Sequence, residues 1–146
     1  MRATEGVALD KDLRTRGQTI VELVSQVEAG NAQTVIDYRA RLEAKLREVL
    51  ANTAIDESRI LTEAAIFADK VAVDEETVRL RSHLQQMNTM LDGGGAIGRK
   101  LDFLLQEMNR EANTIGSKCT DVRLARIVVD IKAELEKIRE QTQNIE

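Results

Sequence analysis

Leu101–Lys118 reads LDFLLQEMNREANTIGSK, and the spacing of its apolar residues decides the fold class. Leu101, Leu105, Met108, Ala112 and Ile115 recur in steps of three and four, the period of one helix face. Two polar stripes flank that seam. One is Asp102, Gln106, Asn109 and Asn113; the other is Glu107, Glu111, Thr114 and Lys118. A solvated face needs only generic Glu and Lys, and Asn is a poor helix former. Amides beside paired carboxylates and an Arg therefore predict a surface selected for contact.

The same period runs outward in both directions. Gly98 opens the motif helix, expected over about 98–117, and Gly93-Gly94-Gly95 breaks the chain before it. Downstream, Leu124, Val128, Ile131, Leu135, Ile138, Thr142 and Ile145 form a strict heptad. They predict a final helix over about 120–145, roughly 36 Å long at ~1.5 Å per residue. So regular a heptad calls for a partner helix, from this chain or from another copy. Upstream, Val73, Thr77, Leu80, Leu84, Met87 and Leu91 mark a helix capped by Asp74, and Ile60, Ala64, Phe67 and Val71 mark one capped by Asp56. Over the first fifty residues the pattern predicts two helices, about Ala3–Glu28 and Ala32–Ala51. Gly17 weakens the first, and Gly30-Asn31 ends it. Residues 1–52 are thus expected to form an antiparallel helical hairpin, and 53–146 a C-terminal helical domain.

Composition agrees with an all-α chain. In 146 residues there is no proline, and aromatics are 2% against 32% charged, which excludes a sheet protein with aromatic strands and proline-rich turns. A core of Leu, Ile, Val and Ala suits long seams, so the expected architecture is elongated helical hairpins in an oligomeric helical assembly. No apolar run is long enough to span a membrane, and MRATEGVALDKDL lacks the apolar stretch of a signal peptide. A lone Cys119 forms no internal disulfide and is expected to be a surface thiol beside a helix cap; together these predict a cytoplasmic protein. The net charge of −4 argues against a simple basic nucleic-acid surface. Yet Arg79–Lys118 carries six basic residues against four acidic, +2 locally and −6 elsewhere. A basic groove on an acidic body follows.

Three constellations could carry chemistry. His83, the only histidine, lies beside the Leu80/Leu84/Met87 seam with Glu76 and Arg79 on its own face. Imidazole titrates near neutrality and can move the proton of a ribose 2′-hydroxyl, although a histidine at a seam's edge is also a common structural feature. Glu107 and Glu111, at i and i+4, share a face and repel unless a cation or an arginine compensates. With Asp102, Glu63 or Asp69 they could hold a divalent cation such as Mg²⁺ or Mn²⁺, or they could tie helices together as an ordinary ion-pair cluster with Arg110. Arg79, Arg81, Arg99, Lys100, Arg110 and Lys118 are candidate phosphate contacts, with Gln106, Asn109 and Asn113 available to bases or sugars. Phe67 and Phe103 are expected in the core, so aromatic stacking platforms are missing. GGGAIG lacks the GK[ST] ending of a phosphate loop and reads as a hinge.

LDFLLQEMNREANTIGSK, together with VRLRSHL at Val78–Leu84 and KAELEKIREQTQNIE at Lys132–Glu146, resembles the C-terminal half of the YicC/YloC family of bacterial proteins. The match is close over Ile55–Glu146 and looser before it. Family members carry an N-terminal region of mixed strand and helix that has no counterpart in this sequence. The resemblance implies an endoribonuclease, RNA rather than DNA as partner, and a closed homo-oligomer, with a hexamer the expected form. The chemistry of the residues, rather than the resemblance, suggests the roles: His83 would transfer the proton, Glu107 and Glu111 would orient a metal ion or water, and Arg110 and Lys118 would stabilise the phosphorane. Two other readings stand beside it. One is a non-catalytic RNA-binding adaptor of RNA decay, and the other is an oligomerisation element with catalysis on the N-terminal half.

Overall fold

In a computed structural model, which describes residues 2–51 and 54–143, the chain is helical and contains no strand among those residues. Five helices follow in order: α1 (Arg2–Leu50), α2 (Glu57–Val71), α3 (Asp74–Gly93), α4 (Gly98–Lys118) and α5 (Val122–Gln143). The N-terminal half of α1 joins α3, α4 and α5 in a four-helix bundle. Each helix packs on its neighbours in the cyclic order α1–α3–α4–α5. Its core is aliphatic, with Leu13, Ile20 and Val24 from α1, Leu80 and Met87 from α3, Leu101, Met108 and Ile115 from α4, and Ile131 and Ile138 from α5.

The expected hairpin over residues 1–52 does not form. α1 is one continuous helix of 49 residues, about 73 Å long. Gly30 does not break it, because this glycine marks a close helix–helix approach. A Cβ there would overlap Leu124 Cδ2 and lie 3.3 Å from Leu124 Cγ on α5. Gly17 similarly faces Met87 of α3, whose Cε would lie 2.9 Å from an added Cβ. Asn31, read as part of the break, instead donates through Nδ2 to the carbonyl of Val71, 2.8 Å away. That bond closes α2 onto the C-terminal half of α1. The hairpin is therefore made by α1 with α2, an arm in which Tyr38 and Phe67 stack at 3.9 Å. The proposed boundary at 52–53 lies outside the described residues.

Other boundaries follow local chemistry. Asp56 caps α2, accepting from the N–H groups of Ser58 and Arg59. Asp74, expected to cap α3, is instead its first residue, and Val73 occupies the cap position. Gly94 and Gly95 adopt φ of 66° and 79°, a conformation that side chains disfavour, so this glycine pair turns the chain between α3 and α4. The heptad of α5 fills the chain's own core: Leu124, Val128, Ile131, Leu135, Ile138 and Thr142 are all buried. Its partners are α1 and α4, so this seam is not available to a second copy; Ile145 lies outside the described residues. No helix among those residues is long and apolar enough to cross a membrane.

Candidate active site

α3 and α4 run antiparallel through the short glycine turn, which sets one polar face of each against the other. α3 contributes Glu76, Arg79 and His83, spaced by three and four; α4 contributes Glu107, Arg110, Glu111 and Thr114, spaced likewise. Together they line a cleft of about 460 Å³. A histidine nitrogen of His83 and one carboxylate oxygen each from Glu107 and Glu111 lie within 4.8 Å of one another. Glu111 is only 5% exposed, whereas His83 and Glu107 are half-buried. His83 Nδ1 is buried without a hydrogen-bond partner. A buried imidazole nitrogen left unpaired costs stability.

The arginines flank these groups loosely. Arg79 Nη1 lies 3.8 Å from Glu111 Oε2, and Arg110 Nη2 lies 3.7 Å from Glu107 Oε1. Both distances exceed those of charge-assisted hydrogen bonds, so neither carboxylate is saturated by its neighbour. Other pairs that link one helix to another are tighter, at 2.6 Å for Arg14 with Asp92 and 3.2 Å for Arg16 with Glu134. An ion-pair cluster that ties helices together would be expected to close to similar distances.

Several residues expected at the site lie elsewhere or are already engaged. Lys118 Nζ donates to the carbonyl of Ala72 at 2.8 Å and to Glu76 Oε1 at 3.0 Å, which commits its charge to the junction of α2, α3 and α4. Arg81 points to α1, where it meets Glu28 and Ser25. Asp102 sits on the other stripe of α4, accepts from Gln106 and joins Asn109, Lys132, Glu136 and Arg139 in a separate cleft against α5. It is therefore not a ligand beside Glu107 and Glu111. Glu63, paired with Arg59, and Asp69 belong to α2, which packs on α1. Arg99 and Lys100 are exposed in the first turn of α4, and Asn113 is exposed. The two stripes of the motif thus serve two different clefts, because only one of them faces α3.

Glu76, placed by its spacing on the face of His83 but given no role there, lines the His83 cleft and is only 6% exposed. Phe103, expected in the core, is 61% exposed because it lies outside the α4 seam. Cys119 is half-buried at the end of α4 and donates to the carbonyl of Ile115. Burial, with Asp121 nearby, pushes its thiol pKa up, which disfavours the nucleophilic thiolate.

Comparison with known proteins places the sequence in a family. The chain is 46% identical to a protein of Clostridioides difficile named "Probable endoribonuclease YicC" and 34% identical to one of the same name from Haemophilus influenzae. Each alignment covers 100% of this chain and 50% of the relative, so the chain spans about half the length of the curated relatives it matches. Residues 27–146 match the family described as Endoribonuclease YicC-like, C-terminal, which reaches well into α1 and beyond the stretch where the motif itself is dense. On that match, the chain belongs to the YicC-like endoribonuclease family and represents its C-terminal part.

Proposed function

We propose that this chain carries the cleaving site of an endoribonuclease, with RNA phosphodiester cleavage occurring in the cleft between α3 and α4. The observation that carries this reading is the approach of His83, Glu107 and Glu111 to within 4.8 Å in a cleft bordered by two loosely held arginines. The names of the relatives agree with it. One imidazole nitrogen and two carboxylates within 4.8 Å of one another fit a divalent cation. That mixed donor set suits Mn²⁺ better than Mg²⁺, which favours oxygen ligands. When bound, the cation would supply Lewis-acid polarisation of the phosphoryl group.

The chain's own groups do the rest. His83, Glu107 and Glu111 would hold the cation. Arg79 and Arg110 orient the phosphate and offset the charge that gathers on its oxygens; Arg79 replaces Lys118, which is engaged elsewhere. Attack by water forms a new P–O bond and breaks the bond to the ribose oxygen; the attacking water gives up one proton and the leaving oxygen takes one up from solvent, so protons balance. With few aromatics in reach, recognition rests on backbone and shape. Self-association, with the hexamer expected for the family, would use the arm, where Ile36, Val49, Leu61 and Ile66 are exposed; sedimentation of the chain reads this directly.

The test is cleavage of a 5′-labelled structured RNA by the purified chain with Mn²⁺, with Mg²⁺ and with chelator. His83→Ala and Glu107→Gln run alongside. Cleavage that needs the cation and disappears in both variants is the expected result. Cleavage that survives chelator and leaves a 2′,3′-cyclic phosphate would instead make His83 the proton-transfer group for the 2′-hydroxyl. RNA binding without cleavage in wild type would put the chemistry in the other half of the full-length relatives.

A further inference from the structure

Glu76 is the group in this cleft that an ordinary ion pair does not explain. It is 6% exposed, and Lys118 engages only one of its oxygens, Oε1, at 3.0 Å. The other, Oε2, is buried with no hydrogen-bond partner. A buried carboxylate oxygen left without a donor is a substantial cost, which a purely structural pair would avoid by closing both oxygens. Glu76 lines the same cleft as His83, Glu107 and Glu111, and Lys118 is anchored in turn by the Ala72 carbonyl.

We propose that Glu76 is a positioning residue of the active site. Its unpaired oxygen sets a carboxylate charge behind His83, Glu107 and Glu111, and Lys118 serves as the clamp that fixes its orientation. The inference rests on the cation-binding reading above and adds a carboxylate behind the three candidate ligands, together with its lysine. Outer partners of this kind typically govern ligand-site affinity by about 10- to 100-fold. Glu76→Gln is the sharp variant. It keeps the side chain's volume and an oxygen for Lys118, but turns the free acceptor into a donor.

The probe is Mn²⁺ alone, followed as loss of the free-ion electron paramagnetic resonance signal when it is titrated into the chain. Glu76→Gln is expected to weaken Mn²⁺ binding about tenfold or more while far-UV circular dichroism is unchanged. Lys118→Met should weaken it in the same direction, and the double variant should be no worse than the stronger single one, because both act through one carboxylate. Lys118→Arg, which keeps a donor and the charge, should recover part of the loss. If Glu76→Gln binds Mn²⁺ as wild type does while Glu107→Gln does not, the inference is overturned and the cation reading stands. If Glu107→Gln also binds as wild type does, the cation reading itself falls. Should Glu76→Gln fail to fold, Lys118→Met decides alone: wild-type Mn²⁺ affinity in that variant overturns the clamp.

Discussion

Replacing Gly30 with alanine tests the claim that α1 is one helix pressed against α5. In a helix interior, alanine is favoured over glycine by about 1 kcal/mol. Against that gain stands the new methyl, which would overlap Leu124 Cδ2 and crowd its Cγ at 3.3 Å. Leu124 is buried at 4% exposure, so its side chain has little room to turn away. Overpacking of this kind costs about 1–3 kcal/mol, which leaves Gly30→Ala destabilising by roughly 1 kcal/mol. Gly17→Ala provides the contrast. Its methyl would meet only the flexible end of Met87 at 2.9 Å, with Leu84 Cδ2 at an ordinary 3.8 Å. Methionine adapts readily, so this variant should gain about 0.5 kcal/mol. Urea unfolding followed by circular dichroism reads both values from the midpoint. The decisive arm is the double variant Gly30→Ala/Leu124→Ala. Trimming Leu124 removes the clash, so the two changes should couple by more than about 0.5 kcal/mol. Additivity would refute the close approach and return Gly30 to the role of a helix terminator.

Three further outcomes follow from the same structure. Lys118→Met strands the buried Glu76 carboxylate and the Ala72 carbonyl; because Lys118 is itself about one-third exposed, the loss should be about 2–3 kcal/mol rather than the full cost of a deeply buried pair. Adding Glu76→Leu should restore much of it in the same urea assay. The raised pKa of Cys119 predicts slow alkylation by iodoacetamide at pH 7.5 and a marked acceleration in urea; equal rates would show that burial does not protect it. Asp56 is held below the ordinary carboxylate range by the Ser58 hydroxyl first and the Arg59 N–H next. Its capping contribution is therefore present above the unfolded pKa and is lost as pH falls through the lower folded value, so Asp56→Ala should reduce the acid sensitivity of the helical signal of α2 below the ordinary carboxylate range.

What sequence could and could not decide divides along a physical line. Helical periodicity is a property of neighbours three and four residues apart. The seam of α4, the heptad of α5, the Asp56 cap and the glycine turn were therefore legible in the chain itself. So was the family, since an eighteen-residue run of mixed chemistry is specific without any coordinates. Candidate groups could also be named: Glu107 and Glu111 share a face by spacing alone, and His83 sits on a seam's edge.

Whether those groups meet depends on which faces of α3 and α4 are turned together, which no local pattern encodes. Packing brought His83 to the two glutamates and turned Asp102 to the opposite cleft. It drew Lys118 and Arg81 into bonds with other helices and buried Glu76 with one oxygen unpaired. Gly30 shows the ambiguity most plainly. A glycine between two apolar periodic stretches reads equally as a helix end or as the place where another helix comes too close for a side chain, and only the position of Leu124 on α5 chooses between them.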